Sequence, residues 1–347
     1  MSKVEMHSQA ESDTRRNYDI VDITKFILSL MVVCLHVPCG FDWMKPILRI
    51  AVPLFFMISS FFFFSKVRKI SDVHSQLECL KHFVVRNLQL YLFYLLLFFP
   101  ITLHRRKWLE SGILHGIVSF LQDFLFGSTF VASWYIMASI IGMIIVFYLS
   151  RKLSNKFMLI FASVMYLFCC LFSNYYHFSE QLMGGFMENF EKVLLVPYNN
   201  VFVSFFWIVC GKIFADRSTR PKRSMMFYIL VLSVLLLLVE SRLTEKLCRT
   251  DDCYIMLIPV CIAIFTLIIQ EYNVIFKNGQ LLRKLSTLIY ASHGSFIPVC
   301  SLVLNKTPFG NVSWILFIVT LLACLVYSFI VMKLEKKKYF SWLHYAY

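Results

Sequence analysis

Charge is scarce in this sequence. Only 16% of its 347 residues are Asp, Glu, Lys or Arg, where a soluble domain usually carries about a quarter. That leaves too little polar surface to cover a globule of this length, so lipid must solvate much of the chain. Glycine is also sparse, at 11 residues, and no Gly-rich phosphate loop occurs, so nothing resembles an ATP-driven pump. Eleven cysteines are present without a single CxxC. Neither a zinc pattern nor a disulfide framework is legible in them, and no metal site is expected. The N-terminal segment is polar and mixed in charge, with no apolar core before a small-residue cleavage site. No cleaved signal peptide is therefore expected. No internal repeat is evident.

Apolar residues fill the space. They make up 59% of the chain, 36 residues are Phe, and the mean hydropathy is +0.69. The net charge of +14 would suggest nucleic acid in a soluble protein. Here the basic residues cluster between apolar runs, as in cytoplasmic loops, and no nucleic-acid partner is expected. Cysteines such as Cys34, Cys169, Cys170, Cys210, Cys261, Cys300 and Cys324 lie inside those runs and read as small packing residues.

A membrane-spanning helix needs about 20 mostly apolar residues. The pattern predicts an all-α, polytopic helical bundle of about ten spans: 22–39, 46–65, 83–103, 129–150, 157–176, 196–215, 225–240, 254–271, 285–305 and 313–332. A tail over 1–21, a membrane domain over 22–332 and a tail over 333–347 follow. Segment 111–127 contains His115, Gln122 and Asp123 and reads as interfacial or re-entrant. Lys and Arg number 21 in the segments on the side of both termini and 9 on the other side, so both termini are expected in the cytoplasm. The loop holding Cys248 and Cys253 would then be exterior, where a disulfide is permitted. Two free thiols fit equally well.

Ionisable residues inside spans are costly and suggest function. His36 lies in the first span, with Lys25 and Asp22 preceding it by 11 and 14 residues. At about 100° per residue these offsets bring all three to one helical face, with Lys25 about 16 Å from His36 along the axis. The pair Asp22 and Lys25 also reads as an ordinary i,i+3 interfacial pair, with His36 as an interhelical hydrogen-bonder. His293 closes the pattern SxxxYxxH with Ser286 and Tyr290, which a core Tyr–His contact would also explain. Arg86 and Arg49 sit at span edges, where snorkelling is the plain alternative. Trp134 equally suits an aromatic belt.

Five segments together resemble the membrane acyltransferase family 3. They are DITKFILSLMVVCLH (Asp22–His36), RIAVPLFFMISSFFFF (Arg49–Phe64), SWYIMASI (Ser133–Ile140), FFWIVCGK (Phe205–Lys212) and STLIYASH (Ser286–His293). Their order and spacing match over nearly the whole chain, nearest the branch containing the enterobacterial common antigen O-acetyltransferase. Departures from the family pattern are Lys25 for the usual Arg, Ser60 for Gly, Ala132 for His, and Gln89 and Phe93 for a basic residue and a proline.

The resemblance implies a membrane-embedded O-acyltransferase, with acetyl-CoA or another acyl-CoA as donor, acting on a hydroxyl of an envelope or exported saccharide. It implies His36 and His293 as catalytic residues and Lys25 and Arg86 as donor-binding residues. Asp22, Arg49, Ser59, Trp134 and Tyr290 would bind substrate or support the site. No tightly bound cofactor is implied beyond acyl-CoA as donor substrate. The expected partners are acyl-CoA, a glycan or lipid-linked saccharide and the bilayer, and the expected location is the inner membrane. No hydrolase-type exterior domain is expected after the tenth span. An envelope-glycan transporter and a non-catalytic membrane scaffold are the alternatives. Reporter fusions at the C-terminus are expected to be active for a cytoplasmic reporter and silent for a periplasm-only one; the reverse would invert the orientation.

Overall fold

A computed structural model shows the chain as a helical bundle. The described residues are 19–37, 42–106, 108, 110, 112–217, 221–270, 276–308 and 312–347. Most of the expected N-terminal tail lies outside them. The helices are α1 (Asp19–His36), α2 (Lys45–Leu48), α3 (Ala51–Val67), α4 (Val73–Leu97), α5 (Phe99–Arg106), α6 (Ile113–Leu125) and α7 (Trp134–Leu149). They continue as α8 (Asn155–Phe172), α9 (Tyr176–Leu194), α10 (Val201–Asp216), α11 (Arg223–Thr244), α12 (Leu257–Gln270), α13 (Gly279–Leu304) and α14 (Ser313–Leu334). No strand occurs among the described residues.

Short polar residues start several of these helices. The Asp72 side chain accepts from Ser75 N at α4, and Ser154 accepts from Phe157 N at α8. Asn200 Oδ1 accepts from Phe202 N at α10. Each satisfies one of the backbone donors that a helix N-terminus leaves open. The polar Asn200 at the head of the sixth expected span is therefore a cap.

The centre of the bundle is α3 against α10. Both are apolar around their whole circumference and buried on nearly every face, the signature of a helix enclosed by others. Their backbones touch through small residues. The Ser60 hydroxyl donates to Ile208 O at 2.6 Å. A Cβ on Gly211 would lie 2.4 Å from Met57 O and 2.8 Å from Ser60 Cβ. This is the small-residue packing by which membrane helices approach closely. By contrast, only 22% of the apolar window of α11, and of α14, is buried, so these two line the perimeter with their apolar faces outward.

Six stretches of the described residues are long and apolar enough to cross a membrane: Lys45–Val67, Asn155–Phe172, Tyr176–Asp216, Arg223–Thr244, Gly279–Leu304 and Trp314–Leu334. That is fewer than the ten expected, for physical reasons. Helix α1 carries Asp19, Asp22 and Lys25 in its first two turns. Helices α7 and α12 have only 16 and 14 residues, because the expected spans around them begin as irregular backbone at 129–133 and 254–256. Irregular backbone at such depth is tolerated where it is buried in protein or lines a cavity. Segment 177–194, between the fifth and sixth expected spans, belongs to the helix α9 with a kink at Met183. Segment 111–127 contains the short helix α6, with Ile113 and Leu114 largely exposed. The C-terminal segment is no free tail: Lys338–Ala346 folds as a 3-10 helix, Tyr94 OH donates to Ala346 O, and Lys284 Nζ donates to Tyr347 OH.

Gly211→Ala is expected to destabilise the protein by about 1–3 kcal/mol, since the added methyl must push the facing backbones of α3 and α10 apart. Gly185→Ala, where a Cβ meets nothing within 4 Å, is expected to be neutral. Thermal unfolding of both variants in one detergent measures the difference.

Candidate active site

Helices α1 and α13 lie side by side and carry most of the expected site. At one end, Arg283 Nε and Nη2 donate to the two Asp22 oxygens at 2.9 and 2.7 Å, a bidentate pair. The expected partner of Asp22 was Lys25, three residues along its own helix. Arg283 prevails because its planar fork matches both carboxylate oxygens. One turn further, the Ser286 hydroxyl donates to Lys25 O at 2.8 Å. The Lys25 ammonium has no hydrogen-bond partner among the described residues and lies in the field of Asp22, Arg283 and Arg86. Arg86 itself is exposed on α4. This end therefore gathers the cations Lys25, Arg283 and Arg86 with the two carboxylates Asp22 and Asp19, both of which act on Arg283.

At the other end the two histidines meet, with ring centroids 5.1 Å apart in an edge-to-face arrangement. His36 Nδ1 lies 2.9 Å from Val32 O, and His293 Nδ1 lies 2.6 Å from Tyr290 O. A carbonyl can only accept, so each neutral ring carries its proton on Nδ1 and leaves the Nε2 lone pair free. His293 is fully buried, and its Nε2 has no partner among the described residues. The His36 ring opens onto a partly enclosed cavity of about 110 Å³. The group that orients the ring comes from the preceding turn of its own helix. Ser59 is half-buried and does not line the cavity.

The motif residues have distinct duties in this arrangement. Tyr290 OH donates to Ala132 O at 2.8 Å, tying α13 to the 129–133 loop. Ala132 has φ +62°, and a Cβ on Gly294 would lie 2.2 Å from Val131 Cβ. The loop can thus approach α13 so closely only against glycine. Arg49, Val52, Pro53 and Phe56, on one stretch of chain, line the cavity with Trp134. Trp134 stands at the cavity beside Phe56, the two ring centroids 6.0 Å apart.

Three contributors escaped the sequence reading. Asp252 lines the cavity, and Arg49 spreads its fork over Asp251 and Asp252. The only sequence signal was an acidic pair in a basic chain. Arg283 stands ten residues before His293, an echo of the Lys25–His36 spacing. Glu240 is buried on α11 and accepts from Ile255 N, Met256 N and Tyr175 OH at 2.7, 2.8 and 2.7 Å. It pins the turn into α12, and with it the loop that carries Asp252. A second cavity of about 240 Å³ between Arg106, Thr129 and Ser295 is lined by neither histidine.

Cys248 and Cys253 are free thiols, not the bridge that the loop would permit. Cys253 is buried, its N–H donating to Asn174 Oδ1 at 2.9 Å, and burial pushes its thiol well above the ordinary range. Cys248 is only half-buried.

A family profile described as "Acyltransferase domain" matches residues 18–333. Among curated proteins, an "Amino-acid racemase" of Enterococcus faecalis is 25% identical over 83% of this chain and 40% of its own length. A second protein of that name from the same organism is 24% identical over 91% of this chain and 46% of its own length. A "Serine/alanine racemase" of Enterococcus gallinarum is 23% identical over 72% of this chain and 37% of its own length. The chain thus spans less than half the length of these relatives. No solved structure matches.

Maleimide labelling of the folded protein is expected to modify Cys248 and to reach Cys253 only after denaturation. Failure to label either thiol until a reductant is added would show a bridge instead.

Proposed function

Because this chain belongs to the acyltransferase family 3, and is a membrane protein with the apolar helices of one, we propose that it transfers an acyl group, acetyl in the first instance, from acyl-CoA to a hydroxyl of an envelope or exported saccharide. The observation that carries this reading is the His36 ring lining the cavity with Nδ1–H held by Val32 O, which leaves Nε2 as its proton acceptor. A hydroxyl is a poor nucleophile until its proton is taken, and a neutral imidazole is suited to take it near pH 7.

In this reading the acceptor hydroxyl gives its proton to His36 Nε2 as its oxygen attacks the thioester carbonyl. The C–S bond then breaks, the ester forms, and the CoA thiolate recovers the proton from the imidazolium. His293, whose ring meets that of His36 edge-to-face and whose Nε2 has no partner among the described residues, stabilises the charge that His36 briefly carries. Lys25 and Arg86 hold the phosphates of the donor, helped by Arg283, whose charge is shared with Asp22. The Lys25 end then faces the cytoplasm, where acyl-CoA is made. Ten crossings, both termini cytoplasmic and an inner-membrane location complete the reading. The likeness to the enterobacterial common antigen branch rests on the five motifs alone.

The racemase names of the relatives do not carry over to this cavity. The match covers less than half of each relative, so the activity in those names is not assigned to the part that this chain shares. The curated names mention no saccharide, so support for that acceptor comes from the motifs and from the aromatic lining of the cavity.

CoA release from acetyl-CoA, with mass spectrometry of the envelope glycans, tests the proposal. At matched membrane abundance, His36→Gln is expected to lower transfer by about 10²–10⁴-fold, the usual worth of a general base. Arg86→Glu and Lys25→Glu are expected to raise the acetyl-CoA concentration needed. Wild-type transfer by His36→Gln would sink the mechanism.

A further inference from the structure

The cavity beside His36 contains polar groups that no step of hydroxyl activation uses. Asp252 lines it with a side chain 15% exposed, and Arg49 Nη1 contacts only its Oδ1. Arg49 also lines the cavity, and its Nε–H is buried without a partner among the described residues. A buried donor left without an acceptor is costly. Trp134, Tyr198 and Trp207 supply aromatic surface beside these groups.

A donor and an acceptor side by side favour a ligand that can both accept and donate. A hydroxyl does both through one atom, whereas an ammonium cannot accept and a carboxylate cannot donate. Charge adds a second filter. The single positive charge of Arg49 faces two carboxylates, Asp251 and Asp252, while Arg249 of the same loop is balanced by Glu191, so the surroundings are left net negative and disfavour anions. The aromatic rings offer broad apolar faces, which suit the C–H face of a sugar ring. A small aliphatic amino acid such as serine could satisfy Arg49 and Asp252 as a zwitterion but has no ring face to lay on the aromatic rings.

We propose that Asp252 and Arg49 form the acceptor subsite of this cavity, against Trp134, Tyr198 and Trp207. The ligand is a neutral polyhydroxyl ring, a sugar bearing no carboxylate or phosphate on the residue to be acylated. The assignment rests on the acyltransferase reading, because it supplies the molecule whose hydroxyl His36 deprotonates. The loop is held for this task from behind. Asp252 N and Cys253 N both donate to Ser173 Oγ, at 3.1 and 3.2 Å, while Glu240 anchors the two residues that follow Tyr254.

The test uses the full chain in lipid nanodiscs, titrated with methyl glucoside, methyl N-acetylglucosaminide, methyl glucuronide and L-serine. Tryptophan fluorescence reports binding, since Trp134 and Trp207 line the cavity. A saturable response to at least one neutral glycoside is expected, with weaker binding of the glucuronide and none of serine. Asp252→Asn is expected to weaken the neutral glycoside about tenfold or more, the scale of one hydrogen bond to a charged group. Asp251→Asn, which shares Arg49 but does not line the cavity, is expected to cost much less. Trp134→Leu, read by calorimetry, is a second variant that leaves the Arg49 pairs intact and is also expected to weaken binding. Unchanged affinity in both Asp252→Asn and Trp134→Leu overturns the subsite. So does preference for serine or glucuronide, or the absence of any saturable response to the neutral glycosides. CoA release in the same preparation separates the two readings. Glycoside binding through Asp252 without CoA release keeps the subsite and removes the acyltransferase assignment, and CoA release without glycoside binding does the opposite.

Discussion

Two imidazoles in an apolar bundle need their ring protons accepted, and the contact between α1 and α13 is arranged around that need. Each histidine spends Nδ1 on a carbonyl of its own helix, three or four residues earlier. The ring is thereby oriented without help from a neighbouring span, and Nε2 is left uncommitted. The helices are then locked in register by the Asp22–Arg283 fork and by the Ser286 hydroxyl on Lys25 O. A slip of one residue would rotate either helix by about 100° and separate the rings. The rest of the bundle keeps this pair in place: α3 and α10 fill the centre, and the 129–133 loop closes on Tyr290 and Gly294.

The site is polar at both ends of one helix pair and apolar between. Lys25, Arg283 and Arg86 gather with Asp22 and Asp19 at one end, and a carboxylate pair around Arg49 stands at the other. The separation from Lys25 to His36 is about 16 Å of helix, about half the hydrocarbon thickness. An anionic donor anchored at the cationic end and a neutral acceptor admitted at the other would meet near His36 without sharing an entrance. That division suits a reaction whose two substrates come from opposite sides of a membrane.

Irregular backbone is concentrated where the chemistry is proposed. The 129–133 segment and the 249–256 loop shorten α7 and α12, and both border the cavity. Each is stitched down by side chains from elsewhere. Tyr290 holds the first, and Ser173, Asn174 and Glu240 hold the second. The buried carboxylate of Glu240 is offset by two backbone N–H groups and a tyrosine hydroxyl, as a charge in an apolar setting requires.

Much of this was legible in the linear chain, because apolar runs, charged edges and ionisable residues inside spans follow from the cost of polarity in lipid. His36, His293, Lys25, Tyr290 and Arg49 stand out by that logic, and helical periodicity places Asp22, Lys25 and His36 on one face. Periodicity speaks only within a single helix, however. The exchange of Lys25 for Arg283 beside Asp22, the meeting of the two histidines and the fork of Arg49 on Asp251 and Asp252 join residues far apart along the chain. Hydropathy also gave α7 and α12 the helical length of full spans, since it registers apolar residues and cannot see where the backbone leaves the helix. The sequence by itself determined an all-helical membrane protein and marked the ionisable residues of its candidate site. Which carboxylate meets which cation, and where helix gives way to loop, were decided by tertiary packing, because those choices depend on the directions of side chains from different helices.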